Sequence, residues 1–286
     1  MISFVLPALN EHEGIADTIK ECFVAAAALE LNDIEVVVVD DGSTDGTGDI
    51  ARMAGATVVR HPAPGGYGRA LKAGIEAAKH DTIVILDADG TYPLDRLADF
   101  HRLYSEGFDM IVGRRTGPQY RESAMKSPLR MILQFLVETT TGQRVPDVNS
   151  GLRMFSRGTI RPYFSRLSET FSFSTSSTLA YKMTGKFVTY VDIDYRERAG
   201  VTKVRLFRDS LRTLQFIIQA ILYYNPLKIF LLVSLGCVGL SVVLFLLAWI
   251  TQLLSLFLLG VGTLLVSLLV FSIGLLAVQL KEIMHQ

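Results

Sequence analysis

Residues 34–46 read Ile34-Glu35-Val36-Val37-Val38-Val39-Asp40-Asp41-Gly42-Ser43-Thr44-Asp45-Gly46, an apolar run that breaks abruptly into acids, hydroxyls and glycines. A strand with one face in water alternates apolar and polar residues, so four successive valines predict a strand covered on both faces, as in a parallel sheet flanked by helices. The same texture recurs along the chain. Ile2–Leu6, Thr57–Arg60, Ile83–Leu86 and Met110–Val112 read as further strands, with helical patterns near 12–31, 45–54, 66–79 and 93–106 between them. The expected class is α/β. In such open sheets ligands bind beyond the carboxyl ends of the strands, which here are Pro7-Ala8-Leu9-Asn10-Glu11, Asp40–Gly46 and Asp87-Ala88-Asp89-Gly90-Thr91-Tyr92-Pro93. All three are expected on one rim. A dinucleotide-binding domain is argued against, because no G-x-G-x-x-G follows the first strand; Gly65-Gly66-Tyr67-Gly68 follows the third.

Of the 286 residues 50% are hydrophobic and 20% charged, and the mean hydropathy is +0.35. That balance excludes a disordered chain and is high for a wholly soluble one. From Ile229 to Leu280 no Asp, Glu, Lys, Arg or His occurs over 52 residues, about 78 Å of helix against a hydrocarbon core of about 30 Å. Two membrane spans are expected. Only Cys22 and Cys237 are present and the five histidines show no ligand spacing, so neither a disulfide framework nor a thiolate metal site is expected. Met1–Leu6 lacks the charged start and long apolar core of a signal peptide, which predicts a cytoplasmic N-terminus.

Charge divides unevenly. Residues 1–113 carry 8 Lys/Arg against 19 Asp/Glu, and residues 114–228 carry 19 against 8. The acidic half suits a metal ion or sugar hydroxyls and the basic half suits phosphates or anionic lipid; solvated faces of unequal sign are the plainer alternative. In the basic half a helix is expected near 124–141, a strand at Leu152–Phe155, a Ser/Thr-rich helix near 171–184 and a strand at Phe187–Ile193. A helix near 205–224 gathers Arg205, Arg208, Asp209 and Arg212 beside Leu206, Leu211, Leu214, Phe216 and Ile217, the pattern of a helix lying in a membrane interface. Lys126 and Arg130 stand opposite Met131, Ile132, Phe135 and Leu136, which fits either the same surface or a core-packed helix.

Asp87-x-Asp89 at a strand end offers two carboxylates to a hard divalent cation, Mg²⁺ or Mn²⁺, whose other positions take substrate phosphates; turn or helix-cap duty is the competing reading. Asp40 and Asp41 can accept hydrogen bonds from ribose hydroxyls or a base. Helix capping by Ser43 or Asp45 is compatible with that.

Taken in order, Pro7-x-x-Asn10-Glu11, Asp40–Thr47, Asp87–Pro93 and Val112-Gly113-Arg114-Arg115 resemble the family-2 glycosyltransferases of GT-A fold, a Rossmann-like mixed sheet. The later Asp147-x-x-Ser150-Gly151-Leu152-Arg153-Met154-Phe155 and Arg198-x-Gly200-x-Thr202-Lys203, followed by an amphipathic helix and an apolar hairpin, are similar to the polyprenyl-phosphate branch. That branch includes dolichyl-phosphate mannose synthases and bacterial undecaprenyl-phosphate glucosyl- and aminoarabinosyl-type transferases. The resemblance covers essentially the whole chain. Thr91 stands where mannose-synthase relatives often place a metal-binding Gln, Gln134 where some have Ser, and Thr202 keeps the hydroxyl of a late G-x-S-K motif.

By that resemblance Pro7, Leu9, Asn10, Glu11, Asp40, Asp41 and Ser43 would hold the donor nucleoside, and Asp87 and Asp89 the diphosphate through the metal. The composition of 196–203, with Arg196, Arg198 and Lys203 around Gly200 and the Thr202 hydroxyl, predicts a clamp that closes over the diphosphate; a permanently ordered basic loop lying on anionic lipid is the alternative. A guanidinium fork fits phosphate oxygens, which makes Arg115 and Arg130 the first candidates for the acceptor phosphate, with Arg114 and Arg153 behind them; the catalytic set is Asp89, Arg115 and Arg130. The expected reaction moves one sugar from a UDP- or GDP-linked donor to undecaprenyl or dolichyl phosphate with inversion at the anomeric carbon. The alternatives are a non-catalytic membrane-anchored scaffold that binds sugar nucleotides and a polysaccharide synthase.

The expected layout is a cytoplasmic catalytic domain over 1–204, with a nucleotide-binding half at 1–113 and an acceptor-side half at 114–204, then an interfacial helix at 205–226 and spans at 227–250 and 254–280. Arg205, Arg208, Arg212, Lys228 and Lys281 flank the spans while the turn near Trp249–Ser255 is uncharged, which predicts both termini in the cytoplasm; the resemblance implies a bacterial or archaeal cytoplasmic membrane. The expected partners are the nucleotide sugar, the lipid phosphate and the membrane, with no nucleic acid; a homo-oligomer is compatible.

Overall fold

A computed structural model describes residues 1–30, 33–117, 134–135, 137–139, 141–196 and 206–284, the side chains of 206–213, 216, 282 and 284 excepted. The first element, β1 (Ile2–Ala8), is buried at every residue and pairs in parallel with β2 (Ile34–Asp40) from Ile2 opposite Ile34 to Ala8 opposite Asp40. β3 (Thr57–Arg60) flanks β2, and β4 (Thr82–Ile85) pairs with β1 on its other side, both in parallel. The sheet continues through β6 (Arg153–Ser156), β5 (Met110–Thr116) and β7 (Val188–Asp194) to give the order β3-β2-β1-β4-β6-β5-β7. β6 runs antiparallel to both neighbours, while β5 and β7 are parallel. The result is the mixed sheet that the sequence leads one to expect.

Both faces are covered, which accounts for the unbroken apolar strands. On one face Phe4, Leu6, Val36, Val38 and Val84 meet Ile15, Ile19 and Cys22 of α1 (Ile15–Ala27), Ala51 of α2 (Thr47–Met53) and Leu97 and Phe100 of α4 (Leu97–Ser105). On the other, α3 (Tyr67–Ala77) lays Gly74 against Val5 and Val39 so closely that a Cβ would clash. Each fully buried Val, Leu, Ile or Phe stabilises the fold by roughly 1.5–3 kcal/mol.

The boundaries move where pairing overrides pattern. β5 continues past Val112 through the polar Arg114, Arg115 and Thr116, because β7 matches it residue for residue from Met110 opposite Val188 to Thr116 opposite Asp194. α1 starts at Ile15 rather than near residue 12; Asn10, at φ 51°, and His12 are engaged with the loop after β2. A short helix α5 (Arg157–Ile160) follows β6, and the Ser/Thr-rich helix is α6 (Phe173–Met183), buried from Phe173 to Lys182. The expected helix at 124–141 lies mostly outside the described residues; 137–139 are helical.

The chain divides into two compact units, Met1–Ile217 and Ile218–Gln286. α7 (Leu206–Tyr224) leads into α8 (Pro226–Thr251) and α9 (Leu254–Met284). The last two contain stretches of mean hydropathy 2.8 and 2.6, long and apolar enough to cross a membrane. They pack side by side through Ser234 and Ser267, whose hydroxyls lie 2.9 Å apart, and through the Ser241 hydroxyl, which donates to Gly260 O at 2.8 Å. Gln252, at φ 59°, makes the turn with Leu253. The Lys281 ammonium donates to Tyr224 O at 2.6 Å, placing a cation on the last carbonyls of α7.

Candidate active site

The carboxyl ends of β1, β2 and β4 meet on one rim, and the loops after them are laced together. The Asn10 amide donates to Ser43 Oγ at 2.9 Å, the Thr44 amide to Asn10 Oδ1 at 2.9 Å and the Glu11 amide to Thr47 Oγ1 at 2.9 Å. Asp45 accepts from the Thr47 amide at 3.0 Å and lies 2.8 Å from His12 Nδ1. Burial pushes its carboxyl up, but the Thr47 and His12 hydrogen bonds outweigh this and hold it at about 2. Pro7 sits inside β1, opposite Val39, and Leu9 follows at the strand's end.

The two acids where β2 ends, Asp40 and Asp41, are buried and organise the loops around them. Asp40 Oδ1 accepts the Ser43 amide at 2.8 Å. Asp41 accepts the Gly65 amide at 2.9 Å and the Gly66 amide at 2.8 Å, and its Oδ1 lies 2.6 Å from His61 Nδ1. Asp41 thus fastens the turn that starts α3. Neither Ser43 nor Asp45 is the N-cap of α2; Gly46 is, with Asp45 receiving the first helical amide.

After β4, Asp87 is half-buried and Asp89 buried. The Tyr67 hydroxyl donates to Asp87 Oδ1 at 2.8 Å, and burial together with the Asp87 charge pushes the phenol well above its ordinary pKa. Asp89 Oδ1 accepts the Thr91 hydroxyl at 2.6 Å and the Thr91 amide at 3.2 Å, so the turn reading of this motif holds as well. Among the described residues no group of three or more His, Cys, Asp or Glu is placed to hold a metal. Two carboxylates at a strand end are nonetheless oxygen donors of the kind that suit Mg²⁺ or Mn²⁺ when substrate phosphates and water complete the coordination.

Arg115 points across this rim. Its guanidinium grips Asp147 with Nε at 2.8 Å from Oδ2 and Nη2 at 2.9 Å from Oδ1, and it lies over the Tyr195 ring at 5.5 Å. Burial pushes the Asp147 carboxyl up, and the Arg115 charge and hydrogen bonds more than reverse that. Tyr195 meets Tyr92 edge to face at 5.2 Å, and the Tyr92 hydroxyl accepts the Gly151 amide at 2.7 Å. Asp147–Gly151, the metal-candidate loop and Arg115 therefore form one assembly. Arg114 is paired instead with the exposed Asp192.

Arg153 lies in the core beneath that assembly. It donates to Ser150 O at 2.9 Å, Val148 O at 3.1 Å, Thr178 Oγ1 at 2.7 Å and Ser177 Oγ at 3.2 Å. Two of the α6 hydroxyls, those of Ser177 and Thr178, are thus spent on a buried cation. Arg130, Arg198, Thr202 and Lys203 lie outside the described residues. Arg196, at the start of the expected clamp, pairs with Glu21 at 2.8 Å, and its amide donates to Thr91 O at 3.0 Å. Among the described residues Tyr67 and Tyr195 belong to this site and were passed over by the sequence reading; Tyr67 lies in the glycine-rich turn weighed only against the dinucleotide motif.

Comparison with known proteins follows the same lines. The family model described as glycosyl transferase family 2 matches residues 3–164. A dolichyl-phosphate hexose transferase of Haloferax volcanii is 34% identical over 179 residues, covering 60% of this chain and 75% of that protein. An undecaprenyl-phosphate 4-deoxy-4-formamido-L-arabinose transferase of Salmonella choleraesuis is 26% identical over 260 residues, covering 86% and 76%. The crystal structure of glucosyl-3-phosphoglycerate synthase from Mycobacterium tuberculosis with Mn²⁺, UDP-glucose and phosphoglyceric acid superimposes with a TM-score of 0.61 at 23% identity, over 77% of this chain and 79% of that one. That likeness is one of fold.

Proposed function

Because the chain belongs to glycosyl transferase family 2, we propose that it moves a single sugar from a UDP- or GDP-linked donor to a polyprenyl phosphate at a membrane surface. The observation that carries this reading is the pairing, in one chain, of the Asp87/Asp89 rim with two helices of membrane-spanning length. The names of the two relatives, one a dolichyl-phosphate and one an undecaprenyl-phosphate transferase, support the acceptor class.

The nucleoside lies against the loops after β1 and β2, with Pro7, Leu9, Asn10, Glu11, Asp40, Asp41 and Ser43 around it. Asp87 and Asp89 would hold Mg²⁺ or Mn²⁺ for the donor diphosphate, and Arg198, Thr202 and Lys203 would complete the diphosphate site. A bound divalent cation neutralises the charge that develops on the diphosphate as it leaves. The acceptor needs no protein base, since a phosphate monoester has its second pKa near about 6 and is mostly dianionic at neutral pH. Its oxygen forms the new bond to the anomeric carbon as the bond to the diphosphate oxygen breaks, which inverts that centre. Arg115 and Arg130 orient the lipid phosphate, with Arg114 at the edge of the same surface. Arg153, being buried, acts from below by fixing the Val148 and Ser150 carbonyls.

In this reading residues 1–204 are cytoplasmic, 205–226 lie in the interface, and 227–250 and 254–280 span the membrane with both termini inside. The test is to incubate the detergent-solubilised chain with labelled UDP- and GDP-sugars and either undecaprenyl or dolichyl phosphate, with Mn²⁺ or Mg²⁺, and to chromatograph the lipid phase. Label in a lipid phosphate sugar is expected with one donor. Label released only as free sugar, or retained by the protein without turnover, would refute the proposal.

A further inference from the structure

The carboxylate of Asp87 is confined from two sides by groups that arrive from distant parts of the chain. On one side the Tyr67 hydroxyl donates to Oδ1 at 2.8 Å. On the other stands the backbone of Gly151, where a Cβ would come within 2.9 Å of the same oxygen. The Gly151 amide is itself tied to the Tyr92 hydroxyl. A carboxylate so bounded has little freedom to rotate.

Tyr67 is in turn held by what surrounds it. It is the first residue of α3, directly after Gly66 at φ 110°, where a side chain would press within 2.6 Å of Glu169 O. The loop carrying Glu169 is fastened to the same helix by the Arg69 amide, which donates to Glu169 O at 3.1 Å, and by the Lys72 ammonium, which donates to Leu167 O at 2.7 Å. That loop delivers Phe171, whose ring stacks on Tyr67 at 5.5 Å and 23°. Phe171 is 45% exposed, so one face of its ring covers the Tyr67 ring while the rest meets water.

We propose that Tyr67 is a positioning residue for the divalent cation: its hydroxyl sets the plane of the Asp87 carboxylate, and Phe171 shields that hydrogen bond from water. This rests on the assignment of Asp87 and Asp89 to the metal. Partners that orient a ligating carboxylate typically govern metal affinity by about 10- to 100-fold. The hydroxyl is spent on Asp87 Oδ1, so in this role its loss acts through the cation.

The experiment measures Mn²⁺ binding directly, by electron paramagnetic resonance and calorimetry, on the full chain in detergent with whichever of UDP or GDP it binds. Tyr67→Phe keeps the ring and its stacking and removes only the hydroxyl. Its apparent Mn²⁺ affinity is expected to fall about tenfold, with nucleotide affinity in EDTA and the thermal midpoint near those of the parent. Phe171→Ala should weaken Mn²⁺ binding in the same direction by a smaller factor and Phe171→Trp should restore it, a series that decides the matter if Tyr67→Phe does not fold. A Tyr67→Phe titration that overlays the parent's, or a Phe171→Ala titration that does so when Tyr67→Phe is unfolded, overturns the proposal. A parent that binds nucleotide with no response to Mn²⁺ overturns both this proposal and the metal assignment beneath it.

Discussion

Arg115 and Asp147 form a two-pronged ion pair across the rim, with the Arg115 amide adding a third hydrogen bond to Oδ2 at 3.2 Å. The side chains are 13% and 1% exposed, so the pair is nearly withdrawn from water. Removing one partner strands the other. Asp147→Asn is expected to cost about 3 kcal/mol, measured by chemical denaturation of the full chain in detergent. Because the folded Asp147 pKa lies below its unfolded value, the pair's stabilisation is complete above about pH 4 and is lost as pH falls through the lower, folded value. Asp147→Asn should remove that part of the acid sensitivity; parallel denaturation profiles for the two proteins between neutral and acid pH would contradict it.

Asp89→Asn should reduce turnover by orders of magnitude, since a lost Lewis acid typically costs several kcal/mol in the transition state. The Thr91 hydrogen bonds can still be accepted by the amide oxygen, so folding should survive. Near-normal turnover in the variant, or full activity of the parent in EDTA, would show that the metal assignment is wrong.

Arg130→Ala should raise the apparent KM for polyprenyl phosphate or lower kcat while leaving nucleotide affinity nearly unchanged. Arg115→Ala should do the same and also lower stability, because it leaves Asp147 unpaired. Calorimetry showing that nucleotide binding collapses in either variant would move that arginine to the donor side.

Topology is open to a simple chemical probe. Cys22 is fully buried and Cys237 lies within α8, so a cysteine introduced by Thr251→Cys is the accessible thiol. A membrane-impermeant maleimide should label it from outside intact cells; labelling only after the cytoplasmic face is opened would reverse the orientation.

The strands were readable because a sheet covered on both faces favours unbroken apolar runs in its central strands, as Val36–Val39 shows directly. β5 was read short because its last residues, Arg114 to Thr116, are held by β7, a partner more than seventy positions away that no local pattern reveals. Arg153 shows the same limit in a side chain. As sequence it is one more cation in a basic stretch; in the fold the Ser/Thr-rich α6 supplies Ser177 and Thr178 to its guanidinium and draws it into the core. Tyr67 carried a signal that went unused: an aromatic hydroxyl set between glycines at a helix start has few reasons to be there unless the backbone must come close and the hydroxyl must reach something.

The turn of Gln252 and Leu253 leaves almost no chain between α8 and α9. Two apolar helices joined so tightly cannot part at that end, so in lipid they would behave as one hairpin rather than as two separate spans. Hydroxyls that would be costly alone in lipid enter already matched, Ser234 with Ser267 and Ser241 with Gly260.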